Sequence, residues 1–406
     1  MRQTDLHAAD SPSPPSSALR HGRMGRWLAL DGVRGLAIML VMVEHTHLAP
    51  FHGGGLGVDL FFVLSGFLIT GLLLAEFQRS GGLHIRRFYY RRALRLLPAL
   101  LVLVAATAGL ALAYHHSEVG RATLAMAPKT LFYVANLGRT DVGDPSLLAH
   151  TWSLSIEEQF YLIWPLLLLL LLRSRLSLTA LVGIALAVVG LTTVTRTVSF
   201  LSGPDTPEHF GAWYFRTDTK VDALLLGGTI ALLLASELPG TRLIARLPIG
   251  AIGLGSFLIL LAVVPWVDQS RMTYMVQLSV FRLASAGLIL AFVLGSRSRS
   301  RLERIFKMRW LRFAGVLSYS LYLWHFPVFM LAQHQFGRSL KSLLVELPIT
   351  ILLAYGSYRL VERPFLRARE RLPSTQQEPA GRGELATLAE AGATAGDRPQ
   401  GAPWTR

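Results

Sequence analysis

The sequence has no cysteine among its 406 residues. That excludes disulfides, thiolate metal sites and a cysteine nucleophile, and it leaves the redox compartment open. Charge is scarce too: 16% of residues are Asp, Glu, Lys or Arg, against roughly 25% in a soluble domain. There is no Walker loop, glycine-rich dinucleotide turn or zinc-ligand helix, so no metal site is expected. Acidic residues are the scarcer sign, 25 against 40 basic ones, for a formal net charge of +15. The surplus does not point to nucleic acid. Its arginines gather at the ends of apolar blocks, the pattern by which membrane proteins fix their orientation, instead of forming a soluble basic face.

What is abundant is apolar sequence, 52% of the chain. It comes in blocks of about twenty residues, the length a helix needs to cross about 30 Å of hydrocarbon. Ten such blocks run near 28–48, 56–77, 96–114, 152–172, 176–198, 221–234, 249–267, 276–294, 313–333 and 342–361. The expected fold is therefore an all-α polytopic membrane protein, with about ten transmembrane helices in one bundle. The weakly apolar stretch 122–137 suits a re-entrant or interfacial helix. Residues 1–26, with the run Ser11 to Ser17 of Ser and Pro, cannot bury a core and are expected to be disordered. The polar stretch 366–406 is read the same way, leaving 27–365 as the membrane domain.

Basic residues orient the bundle. The second connection carries Arg79, Arg86, Arg87, Arg91, Arg92 and Arg95, and the eighth carries Arg297, Arg299, Arg301, Arg304, Lys307, Arg309 and Arg312. The first connection, 49–55, has none. An even number of spans with both termini in the cytoplasm puts the rich loops inside, together with Arg363, Arg367, Arg369 and Arg371. The expected location is a bacterial inner membrane. The first block contains Arg34, is too long for a signal-peptide core and lacks a clean cleavage site, so it is read as retained.

Ionisable groups inside spans are costly, so each is a candidate functional residue. Arg34 and His45 lie eleven residues apart, about three turns, on one helix face and about 16 Å apart along the axis. A snorkelling arginine and a packed histidine are the plainer alternatives. The second block opens with Asp59 near the outer surface and holds Ser65 deeper, beside Gly66, which suits close helix packing. The fourth enters as Trp152-Ser153-Leu154-Ser155-Ile156-Glu157-Glu158-Gln159-Phe160-Tyr161. The two glutamates point about 100° apart, so one at most readily faces a bundle interior. A glutamate there shares a level with His45 and is suited to orienting or polarising its imidazole. His325 reads as a satisfied core histidine. The cluster 86–95 is a topology signal and lipid anchor, or a set of guanidiniums for phosphates.

These residues, taken together, resemble acyltransferase family 3. The matching pieces are Leu30-Asp31-Gly32-Val33-Arg34-Gly35 reaching His45 as an Arg-x10-His element, Gly54 to Phe67, and Phe88 to Pro98 with its Arg-x-x-Arg at Arg92 and Arg95. They continue through Trp152 to Tyr161, Ser318 to Pro327 and Val361-Glu362-Arg363-Pro364. The resemblance implies an O-acyltransferase moving an acyl group, commonly acetyl from cytoplasmic acetyl-CoA, to a hydroxyl of a carbohydrate or glycosylated small molecule. It implies His45 as the catalytic histidine, Glu157 in preference to Glu158 as its acidic partner, and Arg34, Arg92 and Arg95 on the acyl-CoA side. Asp59, Ser65 and Trp152 belong to the matched motifs. Lys220 stands where the resemblance would often place arginine, and no SGNH-type esterase domain is expected after the membrane part.

The rival of a different class is a secondary transporter of a small anionic or sugar-like solute, since intramembrane Arg, Glu and His also suit proton coupling. No inverted repeat or paired broken helices support it. A glycosyltransferase acting on lipid-linked sugars would need an acidic pair that 49–55 lacks.

Overall fold

Apolar blocks bounded by Ser, Thr and Gly become helices for local reasons. Ser117, Thr206, Ser177, Ser300 and Ser339 each accept a hydrogen bond from the backbone N–H three residues on, capping a helix start. Gly81, at φ +68°, takes the left-handed conformation that closes the second long helix. The computed structural model describes residues 27–46, 53, 55–139, 143–204, 206–236, 247–266, 273–295 and 300–370. Among these there is no strand.

The helices are α1 (Leu28–Thr46), α2 (Leu56–Ser80), α3 (Ile85–Ala113), α4 (Glu118–Leu131), α5 (Trp152–Arg173), α6 (Leu178–Ser202) and α7 (Pro207–Tyr214). After them come α8 (Val221–Ala235), α9 (Ile249–Val263), α10 (Leu278–Leu294), α11 (Arg301–Phe306), α12 (Arg309–Val316), α13 (Ser318–Phe336), α14 (Leu340–Ser357) and α15 (Arg363–Glu370). A 3-10 turn, Ala149–Thr151, leads into α5.

Each of the ten apolar blocks falls on a helix, yet among the described residues 7 helices are long and apolar enough to span a membrane, or 8 with a broken pair. The physical reasons differ. In α1 the length suffices, but Asp31, Arg34 and Glu44 load it with charge. In α8 the helix is only 15 residues long. The ninth block is two helices, α12 and α13, bent by 73° at Leu317. The stretch 122–137 holds α4, which ends at Leu131. At the C-terminal end α15 runs to Glu370, so the domain boundary read at 365 falls inside a helix. The expected disorder of 1–26 and of the tail beyond 370 lies outside the described residues.

In lipid the hydrophobic effect does not press helices together, so packing of small residues and buried polar contacts must. The most extensive helix pair, α2 with α8, is built that way. A Cβ on Gly66 would meet the Leu224 carbonyl oxygen at 1.8 Å, and one on Gly227 the Val63 carbonyl oxygen at 1.9 Å. Gly66 is thus a packing residue. The ends of α1 and α12 meet similarly through Gly35 and Gly315. Of the spanning helices α2 is the most enclosed and α6 the least, which puts α2 at the centre and α6 against lipid.

Candidate active site

The centre holds a cavity of about 590 Å³ between α1, α2, α3, α5 and α13. Spacing along each helix delivers its polar lining. Asp31 and Arg34, three apart on α1, are joined by an ion pair of 3.9 Å. Arg92 and Arg95, three apart on α3, face the same space. From α2 comes Ser65, and from α5 come Ser153, Glu157 and Tyr161.

Ser65 Oγ donates to Glu157 Oε1 at 2.5 Å, and the Tyr161 hydroxyl donates to the same oxygen. Arg92 is fully engaged. Its Nε and Nη2 donate to Glu158 at 2.9 and 2.6 Å, and its guanidinium stacks 3.2 Å over the Tyr161 ring. Arg34 has only its long ion pair, and Arg95 has no ion pair among the described residues. These two are the cations left for an anionic ligand. Both glutamates therefore have partners, because their directions lead to different spaces. Glu157 faces the main cavity. Glu158 faces a second cavity of about 350 Å³, which Arg92, Gln159 and Tyr133 also line.

His45 does not line the main cavity. Its Nδ1 donates to the Val41 carbonyl at 2.7 Å, and a carbonyl can only accept, so Nε2 carries the lone pair. Glu157 is not the group that orients this ring: its hydrogen bonds are with Ser65 and Tyr161, and the backbone of α1 fixes the imidazole instead. Around His45 stand two histidines from elsewhere in the chain. His325 lies 5.0 Å away, centroid to centroid, and His150 lies 5.5 Å beyond His325. The Gln333 amide donates to the His45 carbonyl at 2.6 Å, tying the end of α1 to α13.

The expectation of a satisfied core histidine at 325 needs correcting. Its Nδ1 bonds to backbone carbonyls, but its Nε2 is buried without a partner among the described residues. Two side chains join cluster to cavity. The Tyr322 hydroxyl, which lines the cavity, donates to the His150 carbonyl at 2.5 Å and pairs with Ser153 Oγ at 2.5 Å.

Asp59 and Trp152 lie elsewhere. Asp59 is fully buried in a charge network, paired with Arg282 at 2.7 Å and Lys220 at 3.4 Å. Arg282 continues to Asp222 at 2.5 Å, and Asp222 to Arg196 at 2.7 Å. This links α2, α6, α8 and α10, with Lys220 as one of its cations. Trp152 packs on Tyr214 and Phe215, with its ring 5.7 Å from Lys220 Nζ.

A family model described as an acyltransferase domain matches residues 27–360. The chain belongs to this acyltransferase family. Among relatives, it is 31% identical over 360 residues to the peptidoglycan O-acetyltransferase OatA of Listeria monocytogenes, covering 83% of this chain and 55% of that protein. It is 33% identical over 352 residues to YrhL of Bacillus subtilis, a putative peptidoglycan O-acetyltransferase by name, covering 82% and 54%. With the O-acetyltransferase OatA of Staphylococcus aureus the identity is 31% over 359 residues, covering 82% and 56%. The chain thus spans about half the length of these curated relatives. No solved structure matches it.

Membership of an acyltransferase family decides against the transporter. Within this acyltransferase domain the sequence reading missed His150, Tyr322, Arg196, Asp222 and Arg282. Arg196 and Arg282 were detectable as lone cations within apolar blocks, the same signal that exposed Arg34. His150 carried no such mark, since it precedes its span.

Proposed function

We propose that the protein is a membrane-bound O-acyltransferase that moves an acyl group, commonly acetyl, from acyl-CoA to a hydroxyl of a carbohydrate or glycosylated acceptor. The observation that carries this reading is a cavity that brings Arg34 and Arg95 together, with Arg92 held by Glu158 beside them, and that is also lined by Tyr322, next to the His45 cluster. Guanidiniums suit the phosphates of coenzyme A, whose extended arm is comparable in length to the Arg34–His45 separation. The relatives' names favour a cell-envelope glycan as acceptor. The proposed topology keeps ten membrane segments, counting the charged α1, the short α8 and the bent α12–α13 pair. In an inner membrane both termini then lie on the cytoplasmic side, a topology that the loop arginines support.

In the proposed chemistry the acceptor hydroxyl gives its proton to His45 Nε2 while its oxygen attacks the thioester carbonyl carbon. The carbon–sulfur bond breaks, and the departing thiolate takes that proton back from the imidazole. An acyl-imidazole route would use the same nitrogen. The Nδ1 bond to Val41 leaves that lone pair available in either case.

The test is transfer of radiolabelled acetyl from acetyl-CoA by the purified full chain, with chitotetraose and peptidoglycan glycan strands as acceptors. Labelled glycan that disappears in His45→Ala supports the reading. Active membranes that acetylate glycan but leave acetyl-CoA untouched would replace the donor.

A further inference from the structure

Three imidazoles in one cluster, two of them buried, are more than general-base catalysis at His45 requires. His325 is 0% exposed and His150 4%. On α13, Tyr322, His325, Phe326 and Phe329 recur at helical spacing and share a face. Phe326 stacks on His150 at 5.0 Å and stands edge-on to His45 at 5.1 Å, while Phe329 lies 6.0 Å from His325. Aromatic rings thus form much of the cluster's wall, with the Tyr322 and Ser153 hydroxyls and the Gln333 amide at its edges.

The tautomer of His325 is fixed by its surroundings. Its Nδ1 meets the carbonyls of Leu321 at 3.1 Å and Tyr322 at 2.7 Å, which accept only, so Nδ1 carries hydrogen and Nε2 is an acceptor. That acceptor has no partner among the described residues. The ring nitrogens of His150 have at most a weak interaction with the Leu323 backbone. Buried polar atoms nearly always find a hydrogen-bond partner, so these await one. Among the described residues no group of three or more His, Asp or Glu is placed to hold a metal ion. An anion has no hydrogen to offer a lone pair. A hydroxyl does.

We propose that His325, seconded by His150, is the acceptor-binding part of the site and accepts a hydrogen bond from a hydroxyl or amide N–H next to the one that His45 deprotonates. The ligand it selects has adjacent donors on an uncharged face, as a hydroxyl-rich sugar does. This rests on the transferase reading and adds to it. His45 performs the proton transfer, and a second neutral imidazole 5.0 Å away sets which hydroxyl reaches it. Tyr322 couples the two halves, since it borders the arginine cavity and holds the His150 carbonyl.

Two variants separate binding from bulk. His325→Leu keeps volume and removes the acceptor, whereas His325→Gln keeps an acceptor oxygen. In the transfer assay with chitotetraose or glycan strands, His325→Leu should raise the acceptor KM about 5- to 10-fold, as for loss of one neutral hydrogen bond. The acetyl-CoA KM should stay put, and His325→Gln should stay within about twofold of wild type. A merely structural role would lower kcat and the melting temperature and leave the acceptor KM unchanged, which would overturn the proposal. Should His325→Leu fail to insert, the wild type still decides. Diethyl pyrocarbonate should modify His325, and chitotetraose should protect it while coenzyme A alone does not. Labelling that chitotetraose leaves unchanged, or no labelling of His325, would also overturn it. Absence of any transfer by the wild type is a different failure, that of the transferase reading.

Discussion

Arg92 and Arg95 look equivalent in the sequence, but their surroundings predict different responses to the same substitution. Arg92 gives three hydrogen bonds to Glu158, at 2.9 and 3.1 Å from Nε and 2.6 Å from Nη2, and lies 3.2 Å over the Tyr161 ring. The pair keeps only 15% and 14% of its side-chain surface. Arg92→Ala strands Glu158 in a poorly solvated site. Breaking such a pair from one side costs about 3–5 kcal/mol, and the residual exposure argues for the lower end. Arg95 has no ion pair among the described residues, so Arg95→Ala should leave stability within about 0.5 kcal/mol. Its loss should appear in donor binding, where a charged hydrogen bond to phosphate is worth about 1.5–3 kcal/mol, or roughly 10- to 150-fold in the acetyl-CoA KM.

The assay is a melting curve of the detergent-purified protein alongside acetyl-CoA hydrolysis. Arg92→Ala should melt markedly lower, and the double variant Arg92→Met/Glu158→Met should recover much of the loss, because it removes both charges together. Arg95→Ala should melt as wild type with a raised KM. Equal KM shifts in the two single variants at unchanged melting temperature would refute this reasoning.

His45→Ala should abolish transfer while the protein still inserts and melts normally; in wild type the rate should fall as pH drops through the imidazole pKa, because a protonated ring cannot act as base. Near wild-type acylation by His45→Ala would end the mechanism. Asp222→Asn should destabilise by about 3–5 kcal/mol, since it leaves Arg282 and Arg196 without a shared carboxylate, and melting with and without the substitution measures it. Gly227→Leu should block assembly of the bundle, because its Cβ position is 1.9 Å from a carbonyl oxygen; normal yield and melting would show that α2 and α8 can separate. Glu157→Gln should lower the rate by loosening the Ser65 and Tyr161 hydroxyls that share its oxygen, and an unchanged rate would make this carboxylate structural only.

The sequence by itself determined the helical membrane class, because apolar length is a property of the chain and needs no neighbour. It also marked Arg34 and His45, since a polar group in an apolar block is costly wherever the block ends up, while Arg92, Arg95 and Glu157 stood out through the motifs they share with the family. Spacing placed Arg34 and His45 on one face of α1. It could not say that α13 would bring His325 and Phe326 to that face, or that the turn before α5 would bring His150. Those approaches depend on the 73° bend at Leu317 and on how α1, α5 and α13 pack.

Shared level offered His45 one of two glutamates and the family resemblance chose Glu157, whereas tertiary packing gave that carboxylate to Ser65 and Tyr161. Two groups at one depth meet only if their helices turn the right faces together. Asp59, Lys220, Asp222, Arg196 and Arg282 came from four helix regions far apart in the chain, so their pairing was invisible until the bundle closed. One-dimensional patterns record what each residue costs in a membrane. Only the packed helices decide which partner offsets that cost.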